Sequence, residues 1–162
     1  MIKFIKADAV KLNASESDSV LIHVCNDCGV MGSGIALQIK NEHPSAFDIY
    51  YQHYRHFSKQ QYEFGGNGFM CKDSRIFNMV AQSGFRGSNA TNGRFLDYGW
   101  LANCIVQLTD ELREMPQIRK IIIPVKMGAF RAGGDWEIVQ EIVVGLLRDE
   151  EYDLVFCKFD RG

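Results

Sequence analysis

Two short apolar runs each lead through a glycine-containing loop into a helix, and this constrains the fold more than any other feature of the chain. The first run, residues 19–24, is followed by a loop with glycines at 29, 32 and 34. The second, residues 120–125, leads through the loop 126–134 to a helix from Trp136, for which Asp135 is a suitable N-cap. Alternating strands and helices predict an α/β fold, a three-layer α/β/α sandwich with a mixed, mainly parallel central sheet.

The remaining elements follow from periodicity and from the positions of glycine and proline. We expect strands at 3–6 and 153–159, a polar turn at 13–18, helices at 34–42, 44–57, 95–114 and 136–148, a hairpin of 69–71 with 75–81, and a loop at 83–93. A chain of 162 residues is a common length for one folding unit, so we expect a single domain over residues 1–162.

Composition excludes several classes of partner. The formal net charge is −2, which argues against strong nucleic-acid binding or an electrostatic grip on an anionic membrane. No apolar run reaches the ~18–20 residues of a membrane span, and residues 1–8 are too short and too charged for a secretion signal, so we expect a cytoplasmic protein without membrane association. The oligomeric state stays open.

The cysteines give no strong metal or disulfide signal. The five cysteines are an odd number and mostly scattered, which is typical of reduced thiols. Cys25 and Cys28 form a C-x-x-C motif close to His23, but a structural zinc site usually needs a fourth ligand. We therefore expect no metal and no cofactor.

The two glycine loops together favour an anionic ligand. Both would lie at the same edge of the sheet if their strands are parallel, and free N–H groups at a helix start attract phosphate. Neither the G-x-G-x-x-G order nor a G-x-x-x-x-G-K-[ST] motif is present, which disfavours a Rossmann dehydrogenase and a P-loop NTPase. Two amide-rich loops side by side indicate a clamp for a diphosphate.

Four segments of the chain resemble the macrodomain family of ADP-ribose-binding modules. Residues 6–8 resemble its adenine-recognition motif, residues 23–36 its first binding loop, residues 123–130 its phosphate loop, and residues 132–136 the segment that follows. The combination is closest to the small stand-alone branch that includes ADP-ribose 1″-phosphate phosphatases and terminal ADP-ribose glycohydrolases. The resemblance implies the same α/β/α sandwich.

The resemblance also implies a ligand-binding set. Asp8 would accept a hydrogen bond from the adenine amino group, Asn26 would contact the distal ribose, and Phe159 would pack on the adenine. The full set of implied ligand-binding residues is Asp8, Ala9, Asn26, Gly32, Ser33, Gly34, Ile35, Gly128, Ala129, Phe130, Arg131, Ala132 and Phe159. The residues alone leave other roles open: a turn or cap aspartate at 8, an asparagine that bonds its own backbone at 26, and a core aromatic at 159.

The resemblance implies binding of ADP-ribose and hydrolysis of ADP-ribose 1″-phosphate to ADP-ribose and phosphate. The candidate catalytic residues are His23, Asn26 and Asp135, with Asp27 as a further candidate. His23 would carry protons, Asn26 would contact the distal ribose, and Asp135 would position water. A structural histidine at 23 and a simple N-cap at 135 are the alternatives.

Two departures bear on the reaction. Related glycohydrolases have a lysine nucleophile and a loop aspartate where this chain has Gln82 and Ala132, so covalent lysine chemistry is disfavoured. Phe130 stands where glycine is common, and its ring would narrow the terminal-ribose end of the cleft. A non-catalytic ADP-ribose reader, a hydrolase that removes ADP-ribose from macromolecules, and a protein for another nucleotide remain alternatives.

Overall fold

A computed structural model describes residues 1–85, 95–129 and 132–159. The strands are β1 (Ile2–Lys6), β2 (Ser19–Asn26), β3 (Gly68–Cys71), β4 (Ile76–Gln82), β5 (Lys120–Pro124) and β6 (Asp153–Lys158). The helices are α1 (Ala9–Ser15), α2 (Gly34–Glu42), α3 (Pro44–Gln60), α4 (Tyr98–Arg113) and α5 (Trp136–Leu147).

The strands form one sheet in the order β1-β6-β5-β2-β4-β3. All neighbouring pairs are parallel except the hairpin of β3 with β4, which is antiparallel. The predicted hairpin is therefore confirmed, and so is the mixed, mainly parallel sheet. Because β2 and β5 are parallel neighbours, the loops that follow them lie at the same edge, as the sequence indicated.

Helices cover both faces of the sheet. Leu101, Ile105 and Leu108 of α4 join Val139 and Val143 of α5 in one buried cluster with residues from one side of the strands. The clusters on the other side contain buried residues of α1, α2 and α3. Alternation of side chains along the central strands β2 and β5 sends successive residues to these two cores. The predicted three-layer α/β/α sandwich is confirmed.

The prediction of a polar turn at 13–18 is wrong over its first half, because Asn13 lies inside α1. Asp8 caps this helix by accepting a hydrogen bond from the backbone N–H of Lys11 at 3.1 Å. Asn13 is buried because its amide donates to the carbonyls of Ser74 and Arg75, at 3.1 Å each. When only the neighbours in sequence are considered, a polar side chain that bonds to distant backbone is easily assigned to a turn.

Strand β2 is longer than the sequence predicted, since it continues past Val24 to Asn26. Cys25 and Asn26 consequently belong to the strand, and the glycine loop begins only at Asp27. The side chains of His23 and Cys25 point into the core. The predicted loop at 83–93 lies mostly outside the described residues. In the described ranges, no helix combines the length and apolar character needed to cross a bilayer.

Candidate functional site

The candidate site lies at the carboxyl edge of the sheet, where β2 and β5 are neighbours. The chain leaves β2 towards β4 on one side of the sheet and leaves β5 towards β6 on the other. Such a reversal of strand order opens a crevice between the two loops, and ligands of open α/β sheets bind there. The structure thus brings the two glycine loops together, as the sequence predicted.

The first loop is held in shape by two side chains, Asn26 and Tyr50. The Asn26 amide donates to the carbonyl of Val30 at 2.9 Å and accepts from the N–H of Cys28 at 2.9 Å. The hydroxyl of Tyr50, which is fully buried, lies 2.7 Å from the carbonyl oxygen of Asn26 and 2.9 Å from its Oδ1, and it accepts from the N–H of Gly29 at 3.0 Å. Asn26 therefore bonds its own loop, one of the two roles that the sequence left open.

Gly29 is required by close packing against α3. Its φ is +80°, and a Cβ at this position would lie 2.5 Å from the ring of Tyr54. Gly32 is different, since a Cβ there would meet nothing within 4 Å. The loop is consequently packed tightly at its start and open where it approaches α2.

The N-terminus of α2 is exposed and uncapped. Ser33 stands at the N-cap position but makes no side-chain capping bond, and residues 32–34 are exposed. No described residue accepts from the N–H groups of Gly34, Ile35 or Ala36, since the first backbone bond back to the cap is that of Leu37 to Ser33 at 3.2 Å. Unsatisfied N–H groups at a helix start carry partial positive charge, so this end of α2 suits an anion.

The second loop begins with a tight turn directly after β5. Lys126 and Gly128 both have positive φ, at 66° and 74°, and the N–H of Ala129 donates to the carbonyl of Lys126 at 2.9 Å. Gly134 closes the loop by donating to the carbonyl of Gly128 at 3.1 Å. A Cβ at Gly134 would lie 2.7 Å from that same oxygen, so glycine is the residue that permits this approach. Phe130 and Arg131, predicted to bind ligand, lie outside the described residues.

Ala132 and Asp135 have structural contacts in this loop. Ala132 is 2% exposed, and its carbonyl accepts from the N–H groups of Phe95 and Leu96 at 2.8 and 2.9 Å. Its side chain is thus directed into the core instead of the crevice. Asp135 caps α5 by accepting from the N–H of Glu137 at 2.9 Å, as its sequence position indicated, and its carboxylate is exposed.

Asp8 and Phe159 lie near each other at the outer end of the same edge. The N–H of Ala7 donates to the carbonyl of Lys158 at 3.1 Å, which aligns the ends of β1 and β6. The Asp8 carboxylate accepts from the Gln38 amide at 3.0 and 3.1 Å as well as capping α1, where Ala9 is the first residue. Phe159 is 52% exposed, so it is not a core aromatic.

His23 lies away from the crevice. Its side chain is fully buried, and Nε2 lies 2.6 Å from Oδ1 of Asn78, whose amide in turn donates to the carbonyls of Ala46 and Phe69 at 3.2 Å each. Burial lowers the pKa of His23 from 6.5 to about 4. A neutral imidazole enclosed by protein is poorly placed to exchange protons with a ligand, which favours the structural role over the proton carrier.

The ends of β2 and β4 are joined by polar contacts. The Asp27 carboxylate accepts from the N–H of Gly84 at 2.9 Å, and the Gln82 amide donates to the carbonyl of Gly84 at 2.8 Å. Burial, together with the neighbouring Asp27 carboxylate, raises the pKa of the Cys28 thiol to about 11. Cys28 is consequently a thiol at neutral pH. Within the described part of the chain, no group of three or more His, Cys, Asp or Glu residues is arranged to hold a metal ion.

Sequence reasoning missed Tyr50 and Gln38. Both are buried and lie on helices distant in sequence from the loops they support. The apolar spacing of α3 indicates that Tyr50 faces inward, but no sequence pattern identifies the backbone groups that its hydroxyl reaches. These two residues shape the site from behind instead of lining it.

No protein-family model matches the chain. An uncharacterized 17.5 kDa protein of Enterobacteria phage T4 is 27% identical over 154 residues, which is 88% of each chain. The solved macrodomain of Mycobacterium tuberculosis DarG superposes with a TM-score of 0.74 at 23% identity, covering 97% of both chains.

A further solved structure contains a ligand. Thermosipho africanus DarTG in complex with ADP-ribose superposes with a TM-score of 0.71 at 15% identity, covering 97% of this chain and 41% of that chain. Both structural likenesses extend over nearly the whole of this chain, and at these identities they establish the fold. The chain therefore has the macrodomain fold, in agreement with the resemblance seen in its sequence.

Proposed function

We propose that this protein binds ADP-ribose in the crevice between the loop 27–33 and the loop 125–135. The observation that carries the proposal is the exposed, uncapped N-terminus of α2, which follows β2 at the edge of the sheet where the turn after the neighbouring strand β5 also lies. The amides of Gly34 and Ile35 would bind one side of the diphosphate, and the turn at Gly128 would approach it from the other side. Support also comes from the fold, since Thermosipho africanus DarTG shares it and was solved with ADP-ribose.

The order of the strands indicates where each end of the ligand would lie. Asp8 and Phe159 lie at the ends of the outer strands β1 and β6, so the adenine would lie there against an exposed aromatic ring. Asn26 ends the central strand β2, so the distal ribose would lie near it. One N–H of the Asn26 amide has no partner among its described contacts and is available to donate to a ribose oxygen. Phe130 and Arg131 complete the proposed set.

The binding proposal is tested by placing a carboxylate at the anion site. Ser33→Asp adds a negative charge at the N-cap, which should stabilise α2 by roughly 0.3–1 kcal/mol, yet this charge would compete with phosphate for the same N–H groups. We expect calorimetry to show at least about tenfold weaker ADP-ribose binding in a protein that unfolds no earlier than wild type.

A matched control uses α3, whose N-cap His43 likewise makes no side-chain capping bond. His43→Asp places the same charge at that cap and should leave ADP-ribose affinity unchanged. Its net gain in stability should be smaller than that of Ser33→Asp, because His43 is also the C-cap of α2 and a carboxylate at a helix C-terminus is unfavourable. Failure of the wild-type protein to bind ADP-ribose would refute the proposal. So would equal affinities of wild type and Ser33→Asp.

We propose further that the protein hydrolyses ADP-ribose 1″-phosphate to ADP-ribose and phosphate. Asp135 is the best-placed residue to orient water, since its carboxylate is exposed at the loop end and only Oδ1 is used in capping α5. His23 is not among the residues proposed to act in this reaction, because its side chain is buried. Gln82 donates to the backbone of Gly84 and offers no amine nucleophile, which disfavours lysine-based removal of ADP-ribose from macromolecules.

The reaction is tested with two variants at one position. Asparagine is as good an N-cap as aspartate but lacks the charge, whereas alanine removes both properties. We expect Asp135→Asn and Asp135→Ala to lose phosphate release, and Asp135→Asn to keep ADP-ribose affinity within about threefold of wild type. Undiminished phosphate release by Asp135→Asn would contradict the role of Asp135. If the wild type binds ADP-ribose but releases no phosphate, the proposed hydrolysis is refuted and the protein is a non-catalytic reader of ADP-ribose.

A further inference from the structure

Gln38 is a buried amide on α2 that holds the carboxylate of Asp8. Its side chain is 9% exposed, and its Nε2 lies 3.1 Å from Oδ1 and 3.0 Å from Oδ2 of Asp8. Only the nitrogen of the amide can donate a hydrogen bond, so this contact also determines which way the amide faces. Because Asp8 caps α1 as well, its carboxylate is held by donors from two helices, and it has less rotational freedom than a carboxylate with a cap bond alone.

The two oxygens of Asp8 are unequally occupied. Oδ1 accepts from the backbone N–H of Lys11 at 3.1 Å and from the Gln38 amide, whereas Oδ2 accepts only from the Gln38 amide among the described residues. An ionised carboxylate offers about four acceptor positions. Oδ2 therefore keeps an acceptor position beyond these contacts, and Asp8 is only partly buried.

Helix α2 connects this carboxylate with the amides proposed to bind the diphosphate. Gly34 and Gln38 are four residues apart on α2, which is about one turn and roughly 6 Å along the helix axis. Ile35, the residue after Gly34, packs against the apolar cluster that contains Ala7 and Ala9, the two neighbours of Asp8 in sequence. The first turn of α2 and the Asp8 carboxylate are consequently fixed relative to each other.

We infer that Gln38 is a positioning residue for base recognition: by holding the Asp8 carboxylate in one orientation, it makes the site select a 6-amino purine over a 6-oxo purine. The inference rests on the proposed function, in which Asp8 lies beside the adenine, and deepens it by naming a residue that acts on the base through Asp8. A 6-amino group donates to Oδ2, whereas a 6-oxo group presents a second acceptor to it. The 6-oxo purine carries a donor on the adjacent ring nitrogen, which a carboxylate free to turn would reach.

The first test compares ADP with inosine diphosphate, which has a 6-oxo base in place of adenine. Methionine has the unbranched shape of glutamine but cannot donate a hydrogen bond. We expect calorimetry to show that the wild type binds ADP at least about tenfold more tightly than inosine diphosphate. Gln38→Met should bind ADP about tenfold more weakly than wild type and inosine diphosphate within about threefold of wild type, so that most of the preference is lost.

Gln107 provides a matched control at the opposite edge of the sheet. Its amide likewise connects two groups, since it accepts from the N–H of Gly68 in β3 at 2.7 Å and donates to the carbonyl of Gly66 at 3.2 Å. Gln107→Met removes an amide of the same kind from another helix, and it should leave the preference for ADP unchanged.

The second test uses Gln38→Glu, which keeps the shape of the side chain and makes its donor depend on pH. Two carboxyl groups about 3 Å apart do not both ionise readily, so the pKa of one of them is raised. The introduced group donates to Asp8 when it is protonated and cannot donate when it is ionised. Affinity of Gln38→Glu for ADP-ribose, whose diphosphate does not titrate in this range, should rise about tenfold from about pH 8 to about pH 5. The affinities of wild type and Gln38→Met should change less than about threefold over the same range.

The outcomes separate this inference from the proposed function. Wild-type protein that binds neither ADP nor ADP-ribose refutes the proposed function. Wild-type protein that binds ADP-ribose but does not distinguish ADP from inosine diphosphate leaves the proposed function intact and overturns the inference. A Gln38→Met protein that keeps the wild-type preference, or that binds both nucleotides equally more weakly, also overturns it, because the second result is that of a merely structural residue. If Gln38→Met does not fold, Gln38→Glu decides alone, and an affinity without the expected rise at low pH overturns the positioning role.

Discussion

Replacing Tyr50 with phenylalanine removes one hydroxyl from behind the first binding loop and leaves the core packing intact. The ring packs against Phe64 and Phe47 with centroid separations of 5.7 and 6.1 Å, and these contacts do not involve the oxygen. The hydroxyl lies 2.7 Å from the carbonyl of Asn26 and accepts from the N–H of Gly29 at 3.0 Å. Tyr50→Phe therefore tests how far this one atom determines the shape of the loop.

The loss of stability in Tyr50→Phe comes from the polar groups that lose the hydroxyl as a partner. Gly29 is buried, so its N–H loses an acceptor that water does not readily replace, at a cost of about 1–3 kcal/mol. The lost bond to Asn26 adds about 1 kcal/mol. We expect a loss of roughly 3 kcal/mol in the free energy of unfolding, which corresponds to a Tm lower by roughly 6–12 °C for a chain of this size.

Urea unfolding followed by circular dichroism measures the stability, and calorimetry with ADP-ribose measures the effect on the site. A loop with fewer supports must be ordered by the ligand, so affinity should fall about tenfold. Tyr51→Phe is the matched control, because Tyr51 is 39% exposed and its hydroxyl has no bond to any described residue. A Tyr50→Phe protein within about 0.5 kcal/mol of wild type would refute the reasoning.

Two further predictions concern the residues around this loop. Because the pKa of His23 is about 4 in the folded protein and 6.5 unfolded, the unfolded chain binds more protons between these values, and the free energy of unfolding should fall by roughly 3 kcal/mol as pH drops from 6.5 to 4. His23→Gln should lack this part of the pH dependence in urea titrations, and an identical slope would contradict it. Gly29→Ala should lose roughly 2–4 kcal/mol, since its φ is +80° and its Cβ would lie 2.5 Å from the Tyr54 ring. Gly32→Ala, with nothing within 4 Å, should change stability by less than about 0.5 kcal/mol, and equal effects of the two alanines would be inconsistent with this packing.

Local patterns predicted the elements of the fold where a periodic apolar run was bounded by glycine, proline or a capping residue. The hairpin of β3 and β4 and the helix capped by Asp135 are examples. Prediction failed for α1, where Asn13 looks like a turn residue. The Asn13 amide donates to the carbonyls of Ser74 and Arg75, which are more than sixty residues away in sequence, and these bonds are what places it inside the protein.

The candidate site likewise has a part that the sequence predicted and a part that it did not. Glycine spacing predicted both loops, because a backbone that turns sharply before a helix requires particular residues at particular positions. His23 already lay within the strand predicted at 19–24, and only the structure decided that its side chain points into the core. A histidine near a loop in sequence can face either side of a strand.

The sequence by itself determined the order of strands and helices apart from α1, and the presence of two loops suited to an anion, because these depend on local backbone preferences. Only the tertiary structure decided which polar groups remain available to a ligand. The amide of Asn26 and the carboxylate of Asp8 are largely occupied by bonds within the protein, whereas the N-terminus of α2 and the ammonium of Lys126 have no partner among the described residues. Availability depends on every group that packs nearby, and those groups come from helices and strands far apart in the chain.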